Sequence, residues 1–127
     1  VDLYQYNGSA VFIEQCQNEM RIMSEYAKSH NKLYALTEAG YRNTPDAQWY
    51  SSTLLPAIKG FAPSYVLLWR NAWDKAEENF GPAPEKTCAN DFRKIHKEGA
   101  FLFRSQLQCA PTKGCWMVSK KGKSKKG

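Results

Sequence analysis

Tyr4, Glu38 and Trp69 are the residues of this 127-residue chain best suited to act together on a bound molecule. They stand 34 and 31 residues apart, each close to the end of a short apolar or alternating run. A carboxylate can attack or take a proton, a phenol can donate a hydrogen bond to it, and an indole offers a flat apolar face. Arg70 and Asn71 follow Trp69 directly and add polar groups able to recognise a ligand. Taken alone, a Glu just past a strand is more often a solvated loop residue.

The elements that must position these groups alternate. Val1 to Tyr6 alternates and is rich in β-formers, so it reads as a strand stopped by Asn7 and Gly8. From about Ser9 to Ser29, Ile13, Cys16, Met20, Met23 and Ala27 make an inward stripe, with Glu14, Glu19, Arg21, Glu25 and Lys28 opposite. The run Leu33-Tyr34-Ala35-Leu36 predicts a strand buried on both faces and ending at Glu38. Thr44-Pro45-Asp46 is a helix start, with Trp49, Thr53, Leu54, Ala57 and Ile58 facing inward and Pro56 set to kink or shorten the helix. Ser64 to Asn71 repeats the apolar run with recognition residues at its end. Strand, helix, strand at 30 or more residues per unit is the βαβ pattern of a parallel sheet, whose strand ends are where sites form. Residues 71–90 read as loop, with Asp74, Lys75, Glu77 and Glu78 as a solvated charge run. A further helix covers about 91–97, capped by Asn90 or Asp91, and Phe101 to Phe103 pack against the sheet.

The net charge of +6 suggests an acidic partner until it is located. Lys113, Lys120, Lys121, Lys123, Lys125 and Lys126 carry six of the 18 basic residues, leaving 12 against 12 acidic residues elsewhere. The expected division is therefore residues 1–108 as the folded portion and 109–127 as a basic low-complexity tail. Binding of nucleic acid is not expected, since lysines without interleaved aromatics or a folded groove read sequence poorly. No run suits a membrane span, and Val1 to Gly8 lacks a signal-peptide pattern, as suits a processed or excised segment. Cys16 reads as helix core. Cys109 and Cys115 either bridge or stay as thiols, and no Cys or His spacing suggests a metal site.

Four stretches, Leu-Thr-Glu-Ala-Gly at 36–40, Leu-Leu-Pro-Ala-Ile at 54–58, Tyr-Val-Leu-Leu-Trp-Arg-Asn-Ala at 65–72 and Asp-Phe at 91–92, resemble the C-terminal part of family 26 glycoside hydrolases. The resemblance runs from about Val1 to Leu107. It implies an α/β fold, the last part (about strands 6 to 8) of a (β/α)8 TIM barrel, and a retaining endo-acting enzyme of the β-1,4-mannanase type. The substrate implied is β-mannan or a related β-glycan, the location extracellular, periplasmic or cell-surface, and no cofactor is called for. Glu38 resembles the catalytic nucleophile and Tyr4 the tyrosine that orients it. Trp69 resembles the tryptophan flooring the sugar site and Arg70 a residue reaching the next sugar, with Asn71 beside them.

One departure qualifies this. Retaining glycosidases need a second carboxyl group ~5 to 5.5 Å from the nucleophile, and no residue here matches the family's acid/base. The chain should thus carry half an active site, with the N-terminal barrel portion as its missing partner, and should not hydrolyse glycans alone. The alternative is a non-catalytic carbohydrate-binding segment in which Trp69, Tyr4 and Trp73 form an aromatic platform.

Overall fold

The computed structural model describes residues 1–110 and 114–117. Strand β1 (Asp2–Gln5), helix α1 (Ser9–His30) and strand β2 (Leu36–Tyr41) form the first unit. A π-helical turn (Tyr50–Leu54) continues into α2 (Leu55–Ile58), followed by β3 (Val66–Leu68) and α3 (Ala89–Glu98). The sheet order is β1-β2-β3 and both pairings are parallel, so the fold is α/β. Strands β4 (Leu107–Ala110) and β5 (Gly114–Met117) pair antiparallel, in a register that sets Cys109 opposite Cys115. The lysines at 113 and 120–126 lie outside the described residues.

Helix α1 buries Phe12, Cys16, Met20 and Ala27, while Ile13 and Met23 pack at the margin. It stops at Asn31, which adopts the left-handed conformation at φ 50°, with Lys28 and His30 against the negative helix end. Opposite α1 stand Trp49, Tyr50, Leu54 and Ala57, all nearly solvent-free, joined by Leu36 and Ala39 from the sheet and Ile95 from α3. The Trp49 ring sits 5.9 Å from Phe12 and 5.3 Å from Tyr50. Its indole N–H donates to Gln5 Oε1 at 2.8 Å, locking the core to the end of β1. Cys16, fully buried, has its thiol pushed up to about 11 by burial first and by Glu19 second.

Four local expectations are corrected. Strand β2 begins at Leu36, and Leu33 is 87% exposed. Just before it, the Tyr34 and Ala35 carbonyls accept from Ser64 N at 2.8 Å and from the Val1 amino group at 3.1 Å, in the segments that lead into β3 and β1. Glu38 therefore lies within β2, three residues before its end. The second helix does not start at Thr44, which holds a left-handed φ of 42°. Asp46 accepts from Gln48 N at 2.8 Å in the turn that leads into the later start. Pro56 lacks an N–H, and the helix meets it with the π turn immediately before and ends at Ile58. Strand β3 spans only three residues, and Tyr65 and Leu67 are 53% and 42% exposed because β3 is an edge of the sheet. Helix α3 starts at Ala89, and Asp91 turns to Ser51, accepting from its N–H at 2.9 Å and its hydroxyl at 2.5 Å.

Candidate active site

Parallel pairing brings the carboxyl ends of three strands to one rim. Asp2 pairs with Glu38 and Tyr4 with Gly40, so Tyr4 starts two residues further up the sheet than Glu38, roughly 6.6 Å at strand rise. The long phenol closes that gap: its hydroxyl donates to Glu38 Oε2 at 2.7 Å. Burial, then the hydrogen bond to Glu38 and its charge, raise the Tyr4 pKa well above that of an ordinary phenol. Tyr4 thus remains a proton-bearing donor aimed at the carboxylate throughout the physiological range.

Two residues that sequence reasoning missed hold this pair. The Phe80 ring meets Tyr4 edge-on, with centroids 5.3 Å apart and planes at 69°. It lies directly over Gly40, where a Cβ would stand 2.7 Å from Phe80 Cδ1 and 3.0 Å from its Cβ. Only a glycine at that strand position lets the ring approach. Phe80 is anchored in turn by its N–H to Arg70 O at 3.2 Å. The glycine of Leu-Thr-Glu-Ala-Gly was visible in the sequence, but Phe80 arrives from a loop 40 residues later with no periodic signal.

Trp69 follows β3 and fixes its backbone by donating to Ala39 O at 2.9 Å. Half-buried, it lines a pocket of about 210 Å³ with Tyr4, Gln5, Tyr6, Arg42, Glu78 and Phe80. The structure thus brings Tyr4 to Glu38 by a hydrogen bond and Tyr4 to Trp69 across one pocket. Arg70 and Asn71 are placed differently. The Arg70 guanidinium pairs with Glu78 at 2.8 Å, and Lys75 adds a second contact at 3.0 Å. Bonds from Lys75 and Arg70 lower the Glu78 carboxyl pKa below the usual range. The charge run at 74–78 is therefore organised around Glu78 on the pocket wall. Asn71 Oδ1 accepts from Gly81 N at 3.0 Å and Lys86 Nζ at 2.9 Å, and Asn71 bridges Asn79 through the backbone. Burial draws the Lys86 pKa down. Asn71 closes the base of the loop that carries Glu78 and Phe80.

Chemically, the arrangement is a carboxylate aimed by a phenol donor, beside a small indole-walled pocket. Among the described residues no cluster of three or more His, Cys, Asp or Glu could hold a metal ion, and no helix is long and apolar enough to cross a membrane.

No family model and no curated protein matches the chain. Among solved structures, a GH26 beta-mannanase from Bacteroides ovatus matches with a TM-score of 0.78 and 38% sequence identity. The match covers 82% of this chain and 30% of that one, so the chain spans under a third of the length of the enzyme it resembles. Over most of its length, then, this chain is similar in both fold and sequence to a stretch of a family 26 glycoside hydrolase.

Proposed function

We propose that this chain is the C-terminal portion, about strands 6 to 8, of a retaining glycoside hydrolase barrel acting on β-1,4-mannan or a related β-glycan. The observation that carries this is the 2.7 Å hydrogen bond from Tyr4 to Glu38 beside the pocket that Trp69 walls. In this role Glu38 attacks the anomeric carbon and forms a glycosyl-enzyme intermediate, which water then hydrolyses. Tyr4 keeps the attacking oxygens in line, and the Trp69 face packs against the C–H-rich side of the sugar ring. Arg70 and Asn71 line the approach to the neighbouring sugar, Arg70 through the charge pair it makes with Glu78.

The acid/base comes from the N-terminal barrel portion, which this reading makes the chain's partner. Support comes from the open sheet: β1 and β3 are its edges, and an apolar groove of about 650 Å³ runs beside β3 between Val66, Leu68, Phe92, Ile95 and Phe101. Parallel sheets are ordinarily covered on both faces and closed or flanked by further strands. A polymeric substrate places the enzyme outside the cytoplasm, at the cell surface or beyond. The test is Glu38→Gln in the natural full-length polypeptide carrying these residues. Turnover of β-mannan should fall by several orders of magnitude while oligosaccharide affinity is retained. Undiminished turnover would overturn the assignment.

A further inference from the structure

Strands β4 and β5 form a two-stranded sheet of their own, apart from β1-β2-β3. Their antiparallel register pairs Leu107 with Met117, Gln108 with Trp116, Cys109 with Cys115 and Ala110 with Gly114. Two of the chain's four cysteines thus stand directly opposite one another. Opposed residues of an antiparallel pair share a face of the sheet, and their Cα atoms lie about 4.5 or 5.5 Å apart according to the kind of pair. Both separations fall inside the roughly 4.4–6.8 Å that a disulfide spans. A slip of one residue would send one cysteine to the other face, so the register itself selects the match.

The other two cysteines are held in the core. Cys16 lies on α1 and Cys88 at the N-cap of α3, and both are fully buried free thiols. Burial first and Glu19 second push the Cys16 thiol up to about 11, whereas the thiolate is the form that exchanges. Four cysteines allow three connectivities, and any that uses Cys16 or Cys88 with a strand cysteine would have to open the close-packed interior. Cys109 and Cys115 are also near in sequence, so the loop-closure cost of joining them is small.

We infer that Cys109 and Cys115 form a reversible disulfide that ties β4 to β5. The oxidant is a small disulfide such as oxidised glutathione. One cysteine thiolate attacks it, giving a mixed disulfide and one released thiol. The second cysteine then attacks the protein sulfur of that bond, closes the cross-strand bridge and releases the other thiol. Two electrons pass from the cysteine pair to the oxidant, and the two cysteine protons end on the released thiols. A covalent tie supplies what a two-stranded sheet lacks by itself, since such pairs are marginal in water. It also steadies one wall of the apolar groove beside β3, which Leu107 at the start of β4 lines. None of this depends on the glycosidase reading.

The test equilibrates the natural full-length polypeptide in glutathione buffers of graded redox ratio, blocks remaining thiols with a maleimide and digests with trypsin. Lys113 stands between the two cysteines in sequence, so trypsin separates them and a bridge reads out as two peptides joined through sulfur. That joined species is the expected result, with Cys16 and Cys88 blocked only after unfolding. At fixed reduced glutathione, the native protein should oxidise at a glutathione disulfide level about tenfold lower than in concentrated urea, because register adds to nearness in sequence. Cys115→Ser should leave Cys109 as its glutathione mixed disulfide, since the resolving thiol is gone. Separate maleimide-bearing peptides for Cys109 and Cys115 at oxidising ratios, a bridge to Cys16 or Cys88, or equal oxidation in native buffer and urea would each overturn the inference. Turnover of β-mannan is read separately on the same sample, so failure of the glycosidase reading leaves the bridge standing.

Discussion

Replacing Gly40 with alanine probes how the candidate site is held. Gly40 lies in extended strand backbone and is not among the glycines at positive φ, so alanine meets no conformational penalty there. Its stiffer unfolded chain would even favour folding by about 0.4–1 kcal/mol. Against this stands the contact with Phe80, at 2.7 Å to Cδ1, 3.0 Å to Cβ and 3.2 Å to Cγ. Rotating the ring relieves the first of these. The Cβ contact is relieved only by moving the Phe80 backbone, which is bonded to Arg70. Overpacking of this kind costs roughly 1–3 kcal/mol, so the net destabilisation lies between about 0 and 2.6 kcal/mol. Because Phe80 abuts Tyr4, the displacement passes to the hydroxyl that aims Glu38. A misplacement near 1 Å is enough to lower turnover on the order of a hundredfold. Urea unfolding and steady-state kinetics on Gly40→Ala give both quantities. Unchanged stability and turnover in Gly40→Ala would refute the claim that Phe80 packs the pair into place.

Other predictions concern the frame around the site. Gln5→Leu strips the Trp49 indole N–H of its buried acceptor and should cost about 1–3 kcal/mol in urea unfolding, whereas an unchanged midpoint would show that the bond is dispensable. Asp91→Ala removes the acceptor of both Ser51 bonds and should destabilise by a similar roughly 1–3 kcal/mol, with α3 losing amide protection before α1. Tyr4 has a raised pKa in the folded state, so its contribution to stability is complete below the ordinary phenol value near ~10 and is lost as pH rises beyond it. Ultraviolet titration should show Tyr4 ionising above the ordinary phenol range, and Glu38→Gln should bring its titration earlier. A Tyr4 that titrates as an ordinary phenol would contradict the geometry.

Much of the frame was legible because it obeys simple periodicities. The stripe of α1 at three- and four-residue spacing locates Cys16, Met20 and Ala27, and the intervals of 34 and 31 residues announce parallel crossovers. Boundaries were less legible where tertiary bonds overrule local pattern. Leu33 looks like core by composition, yet it is 87% exposed and precedes the first bonds toward the neighbouring strands, which begin at Tyr34 and Ala35. Thr44-Pro45-Asp46 has the composition of a helix start, but Thr44 is claimed by the turn that follows β2, and Asp46 bonds Gln48 N in the turn before the helix. In the site, Tyr4, Glu38 and Trp69 were recognisable from their places near the ends of apolar or alternating runs, although Glu38 lies three residues inside β2. Phe80, Glu78 and Arg42 were not, since a loop residue's place depends on its anchors, here Asn71, Lys86 and the Asn43–Asn79 bond.

The most direct measurement is covalent trapping of the carboxylate. A 2-deoxy-2-fluoro-mannoside with a good leaving group slows hydrolysis of a glycosyl-enzyme more than its formation, so the adduct accumulates on the nucleophile. Incubated with the natural full-length polypeptide and digested for mass spectrometry, it should label the peptide containing Glu38, and Glu38→Gln should abolish the label. A stable adduct on any other carboxylate, with Glu38 unmodified, would contradict the account.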